Sequence, residues 1–340
     1  MNAPYQRLHW EDFTAGQSVD FGETRVTAEA IVAFAREFDP APEHLGAANG
    51  GAKLTAGDWH CCAMLMRMMC DDYLMEAAGA GAPGVEHVKW FGDVRPGDVL
   101  TARRTPLETR ASKSRPRVGI VRMYQEVFNQ RGELVMSWLP IQLYERSDPA
   151  APLPPPASVP EPDSMKTGMR MPPDLRPGEG GGPIGAYEDI EIGTAADLGS
   201  HLFSKEEMLS YANRFNPQYF HADETAAKAS IYGGLIASGW HTGATWNRHV
   251  VTHRLKLADT ISKSGSRPAG IGPSIAILDM KWSGPVRPGD TLAFRSTVTD
   301  RSESTDFPQW GIVTSFDEGI NQRGETVFSL NHRYWVERAG

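Results

Sequence analysis

The sequence has few cysteines, no uninterrupted apolar run long enough for a membrane span, and no excess of basic residues. Its three cysteines, Cys61, Cys62 and Cys70, fall within one predicted helix of the 340-residue chain, where spacing predicts reduced thiols rather than disulfides. The best candidate span, 59–75, is interrupted by charged residues. The formal net charge of −8 argues against nucleic acid or an anionic membrane as the main partner.

Motifs for metals and nucleotide cofactors are also missing. The sequence contains no Cys/His cluster with metal-ligand spacing and no glycine-rich phosphate fingerprint after a predicted strand. We therefore expect no metal and no redox cofactor. The first residues, "MNAPYQRLHWEDF", lack the apolar segment of a secretory signal. Together with reduced cysteines, this predicts a cytoplasmic protein.

The chain contains an internal duplication. The pentapeptide "VRPGD" at 94–98 recurs at 286–290, and "NQRGE" at 129–133 recurs at 321–325. Upstream, "FDPAPEHLGAANGGAKLTAGDWHC" is paralleled by "FNPQYFHADETAAKASIYGGLIASGWHT". Motifs repeated in the same order predict two copies of one structural unit.

These repeats divide the chain into three parts. We assign an N-terminal repeat to 1–146, a linker to 147–185 and a C-terminal repeat to 186–340. The linker is rich in proline and glycine, which predicts a semi-extended spacer without a packed element.

Both repeats have the same order of predicted elements. A capped helix (27–38 or 204–215) precedes a long apolar helix (55–79 or 237–255), and strand candidates with glycine-containing turns follow. A long helix covered by an antiparallel sheet is the packing that this order favours. We therefore predict an α+β fold, in which the two sheets join edge to edge because each repeat alone would leave an open edge.

The motif run "NPQYFHAD…YGGLIASGWHT", followed by "VRPGD" and "NQRGE", resembles the MaoC-like dehydratase family, the R-specific enoyl-CoA hydratases (hydratase 2). The resemblance extends over both repeats and implies a tandem, or double, hot-dog fold. It also implies reversible addition of water to a 2-enoyl-CoA, giving a (3R)-3-hydroxyacyl-CoA. The coenzyme A thioester is then the substrate, and no other cofactor is implied.

In that family an Asp and a His five residues later form the catalytic pair. A glycine at the start of the long helix offers its backbone N–H to the thioester oxygen. The N-terminal repeat matches the pair with Asp39 and His44. At its helix start, Asp58 replaces the glycine, and we expect the amides of Asp58 and Trp59 to hold the thioester oxygen.

The C-terminal repeat keeps the helix start, with Gly239 and Trp240, but has Asn216 at the position of the Asp. An amide can orient water but cannot carry its proton. We therefore place catalysis at the N-terminal pair, with His221 and Asn216 as the alternative.

Two loops bear on substrate binding. Lys113, Arg115 and Arg117 are candidates for the CoA phosphates, and a solvated surface loop is the equally weighted alternative. The shortened loop 45–53 is expected to widen the entrance for a bulky, branched or dicarboxylic acyl group of the mesaconyl-CoA type.

Other functions remain open from the sequence alone. A hot-dog protein can also be an acyl-CoA thioesterase, and damage to both copies is compatible with a catalytically degenerate acyl-CoA-binding protein. The duplication allows either a monomeric pseudo-dimer or a homodimer of the tandem chain.

Overall fold

A computed structural model describes residues 8–46, 54–166, 169–173 and 183–339. The strands are β1 (Val19–Arg25), β2 (Gly84–Trp90), β3 (Val99–Ala111), β4 (Val118–Phe128), β5 (Leu134–Glu145), β6 (Ala157–Ser158), β7 (Ala195–Leu202), β8 (Ile271–Trp282), β9 (Thr291–Glu303), β10 (Trp310–Asn321) and β11 (Thr326–Glu337). The helices are α1 (Ala28–Phe38), α2 (Asp58–Met69), α3 (Asp163–Lys166), α4 (Lys205–Phe215), α5 (Tyr219–Ala222), α6 (Glu224–Ala227) and α7 (Gly239–Lys263).

The strands form a single antiparallel sheet in the order β1-β3-β4-β5-β2-β8-β11-β10-β9-β7, with β6 paired to β3. The first five and the last five positions mirror each other, so each half is one copy of the same sheet. The halves join where β2 pairs with β8, with Val88 opposite Ile277. The expected α+β fold of double hot-dog type is confirmed, as is the edge-to-edge joint.

The helix boundaries differ from the predicted ones at the long helices. The first begins at Asp58, after the extended N-cap Gly57, and ends in a π-turn over Cys70–Leu74. Its predicted range, 55–79, was too long. The second runs to Lys263, beyond the predicted 255, because neither glycine nor proline interrupts the sequence between 255 and Gly265, whose φ of 82° suits the end of a helix.

The shorter helices begin where their capping residues predict. The side chain of Thr27 accepts a hydrogen bond from the amide of Ala30, and the side chain of Ser204 accepts one from Glu207. At their other ends, α1 and α4 finish at equivalent C-cap residues, Asp39 and Asn216.

The linker does contain packed elements, so that part of the prediction was wrong. Residues Ala157–Ser158 extend the sheet beside β3, and α3 places Met165 in a cluster with Leu107, Tyr124 and Leu139. Proline and glycine weaken helices and strands, but they do not prevent an isolated apolar side chain from being buried. This part of the linker, 157–165, therefore lies against the N-terminal half.

The long helices approach each other closely through aromatic residues. A Cβ atom on Gly243 of α7 would lie 2.0 Å from the ring of Trp59 on α2, so this position requires glycine. The three cysteines are buried free thiols. Within the described ranges, no helix is long and apolar enough to cross a membrane.

Candidate active site

The N-terminal pair is assembled at the end of α1. Asp39 is 5% exposed, and its Oδ2 lies 3.7 Å from Nε2 of His44. The other ring nitrogen, Nδ1, lies 2.8 Å from the carbonyl oxygen of Thr55. Because a carbonyl oxygen accepts and does not donate, Nδ1 carries the proton in neutral His44. The lone pair of Nε2 is then free on the side of Asp39.

Burial raises the pKa of Asp39 to about 6. A positive charge on His44 opposes this shift, whereas the carboxylates of Asp58 and Glu43 add to it. A carboxyl group with such a pKa can both hold and release a proton near neutral pH. Asp39 and His44 together therefore have the chemistry that proton transfer requires.

Gly57 leaves space for the Asp39 carboxylate because it has no side chain. A Cβ atom at Gly57 would lie 2.3 Å from Asp39 Oδ2, so the carboxylate lies against the backbone at the start of α2. The N-cap of α7 is Ser238, whose Oγ accepts a 2.8 Å hydrogen bond from the amide of Asn216. Each half thus pairs its residue with a matching N-cap, Asp with Gly and Asn with Ser.

We expect Gly57→Ser to displace the Asp39 carboxylate, to lower turnover by about 10- to 100-fold and to destabilise the protein by about 1–3 kcal/mol. Turnover and denaturation midpoints measure the two effects. Adding Asp39→Asn to Gly57→Ser recreates the C-terminal arrangement and should recover stability without activity. Equal stability of Gly57→Ser and the unmodified protein would contradict the close contact.

The C-terminal pair is held differently. Asn216 is 3% exposed, and its Oδ1 accepts hydrogen bonds from Gln218 (2.9 Å) and from the Cys70 thiol of the other half (3.6 Å). Nδ1 of His221 lies 2.9 Å from the carbonyl oxygen of Ile236. Burial lowers the pKa of His221 to about 4, so its ring is neutral at pH 7. The C-terminal pair therefore contains a single proton carrier.

A cavity of about 330 Å³ lies at the C-terminal pair. Both halves line it, with mainly apolar side chains from the N-terminal half, and its lining includes Met66, Met69, Trp138, Asn216, His221, Gly239 and Trp240. The Trp282 indole lies so close to Gly239 that a Cβ there would come within 2.3 Å of the ring. Neither Asp39 nor His44 lines this cavity.

The predicted CoA-binding residues occupy the exposed hairpin between β3 and β4, and Arg115 lines the same cavity. The structure therefore brings Arg115 together with Asn216 and His221, and not with the N-terminal pair. In the corresponding hairpin of the other half, Phe307 packs edge-on against Trp335. The predicted catalytic pair and the cationic hairpin therefore do not share a cavity.

The start of α2 carries a feature that the sequence did not reveal. Asp58 Oδ1 lies 2.5 Å from the guanidinium of Arg170, a linker residue that also lies 2.5 Å from Asp93 Oδ1. A half-buried carboxylate is stabilised by a nearby cation, but the sequence does not show which of its arginines supplies it. Trp59 packs against Trp240 and Trp246. Of the loop 45–53, residues 47–53 lie outside the described part, so the predicted wider entrance stays a prediction.

Similarity to known proteins agrees with this fold. The family described as MaoC like domain matches residues 189–310. A mesaconyl-CoA hydratase of Cereibacter sphaeroides is 27% identical over 238 residues, which are 66% of this chain and 62% of that relative.

Two solved structures are similar over nearly the whole chain. A MaoC domain protein of Chloroflexus aurantiacus has a TM-score of 0.80 at 15% identity and covers 100% of both chains. A Mycobacterium tuberculosis protein with a double hot-dog fold has a TM-score of 0.64 at 15% identity, over 97% of this chain and 98% of that one. At such identities they show the fold alone.

Proposed function

We propose that this chain, whose residues 189–310 match the MaoC like domain, adds water reversibly to a 2-enoyl-CoA, giving a (3R)-3-hydroxyacyl-CoA. The observation that supports this most strongly is the contact between His44 and the buried Asp39 at the start of α2. Hydration needs a group that takes a proton from water and a group that gives one to the α-carbon. The N-terminal pair offers both.

In this mechanism, Nε2 of His44 takes a proton from the water whose oxygen adds to the β-carbon. Protonated Asp39 holds this water and donates its proton to the α-carbon. The amides of Asp58 and Trp59, at the positive end of α2, hold the thioester oxygen as negative charge develops there. Transfer of the proton from His44 to Asp39 then resets the pair, and dehydration follows the reverse path.

We propose a bulky, branched or dicarboxylic acyl group. The similarity to a mesaconyl-CoA hydratase supports this substrate class. The mechanism uses acid–base groups and backbone donors and requires no metal or redox cofactor. Within the described residues, no group of three His, Cys, Asp or Glu side chains is placed to hold a metal ion.

The C-terminal cavity favours a second candidate function, binding of an acyl-CoA without turnover. The cavity is mainly apolar, Arg115 lies along it, and its Asn216 is fixed by three hydrogen bonds. The apolar lining suits an acyl group, and the exposed arginine suits a phosphate of coenzyme A. We assign this cavity to acyl-CoA binding and the chemistry to the N-terminal pair.

One assay separates these functions. The protein is mixed with 2-enoyl-CoA thioesters, including mesaconyl-CoA, while enoyl-thioester absorbance and free thiol are followed together. Loss of absorbance without free thiol is expected for hydration. Release of free thiol would indicate a thioesterase and contradict the proposal, and measurable binding without either signal would indicate the binding protein.

A further inference from the structure

Arg170 connects the linker to the start of α2. Its guanidinium lies 2.5 Å from a carboxylate oxygen of Asp58 and 2.5 Å from one of Asp93, and its side chain is 14% exposed. Its backbone is also fixed, because the indole of Trp335 donates a 3.0 Å hydrogen bond to its carbonyl oxygen. Arg170 is therefore held by contacts from both halves, the side chain by the N-terminal half and the backbone by the C-terminal half.

Asp58 creates an electrostatic problem at this location. It is the first residue of α2, where the proposed mechanism places the developing negative charge of the thioester oxygen. Its counterpart in the other half is Gly239, the first residue of α7, which has no charge. An uncompensated carboxylate would offset the positive potential at the helix N-terminus and disfavour an oxyanion there.

We infer that Arg170 is a positioning residue for the hydration reaction. Its guanidinium draws the Asp58 carboxylate away from the oxyanion site and neutralises the charge of that carboxylate. The inference rests on the proposed function and adds a linker residue to the site. Asp93 completes the arrangement, because a second carboxylate holds the guanidinium between two partners. The linker is thereby tied to catalysis as well as to the surface of the N-terminal half.

Arg170→Gln is expected to lower kcat by about 10- to 100-fold with a smaller change in KM, since the lost stabilisation concerns the transition state. In an Asp58→Asn background, the same substitution should change kcat by less than about threefold, because no charge remains to be neutralised. Arg338→Gln is the matched control, since Arg338 also joins two carboxylates, Glu188 and Glu303. It should leave kcat within about twofold.

A second readout does not depend on activity. The charges that act on Asp39 come from His44, Asp58 and Glu43. Loss of Arg170 exposes Asp39 to the full charge of Asp58, so the pKa of Asp39 should rise further, as measured by NMR of ¹³C-labelled aspartate carboxyls. An unchanged pKa of Asp39, with equal losses of kcat in both backgrounds, would contradict the inference and leave Arg170 with a purely structural role. Absence of hydration by the unmodified protein, with the expected pKa change, would overturn the proposed reaction and keep the electrostatic role.

Discussion

Asp39→Asn is expected to reduce hydration by about 10²–10⁴-fold while making the protein more stable at pH 7. The side chain keeps its size but loses the proton that the mechanism delivers to the α-carbon. Steady-state turnover, measured by loss of enoyl-thioester absorbance, tests the first effect. Asn216→Asp is the matched change in the other half and should not restore activity to an Asp39→Asn protein, because its Ser238 occupies the place of Gly57.

The stability effect follows from the raised pKa of Asp39. Its folded pKa of about 6 exceeds the ordinary value of 3.8, so the folded state disfavours the ionised carboxylate by about 3 kcal/mol. This cost is absent below the unfolded pKa and grows until the pH exceeds about 6. Asparagine removes the charge, although Gly57 offers it no hydroxyl of the kind that Ser238 offers Asn216. We therefore expect the free energy of unfolding to rise by about 1–3 kcal/mol at pH 7. If the difference in unfolding free energy between variant and unmodified protein does not change from pH 4 to pH 7, the raised pKa of Asp39 is contradicted.

His44→Ala is expected to lower turnover by about 10²–10⁴-fold, because it removes the group that takes the proton from water in the proposed mechanism. The matched change, His221→Ala, removes the corresponding imidazole from the C-terminal cavity. It should weaken acyl-CoA binding at that cavity and leave hydration nearly intact. Both variants leave a backbone carbonyl unpaired, that of Thr55 or Ile236, so they carry a similar structural cost.

Measuring the turnover of His44→Ala and of His221→Ala in the same assay shows which half carries the reaction. Loss of turnover in His221→Ala with activity retained in His44→Ala would place the reaction in the C-terminal cavity. Asn216 would then orient water only. His44→Gln, which keeps a polar side chain near Thr55, separates a folding defect from the loss of a proton carrier.

Much of the fold could be predicted from repeated motifs. The duplicated "VRPGD" and "NQRGE" turns mark the hairpins, and the caps Thr27 and Ser204 mark the starts of two helices. The ends of the long helices could not be predicted, because tertiary packing decides them. The α2 π-turn at Cys70, for example, follows a sequence that continues the apolar helix pattern.

The candidate site was only partly predictable. The family resemblance pointed to Asp39 and His44, but the effect of Gly57 on the carboxylate depends on a contact between residues distant in sequence. The Arg170 bridge to Asp58 and Asp93 depends on the path of the linker, which composition does not determine. The same holds for Arg115, whose position beside the C-terminal cavity follows from the pairing of the two halves.

The most direct test of catalysis at the N-terminal pair is a crystal structure of the full-length Asp39→Asn protein with a bound 2-enoyl-CoA. This variant keeps the shape of the site and turns the substrate over slowly enough to trap it. We predict that the β-carbon of the acyl group lies within reach of His44, with the thioester oxygen at the amides of Asp58 and Trp59. A thioester found in the C-terminal cavity alone, against His221 and Gly239, would contradict the assignment.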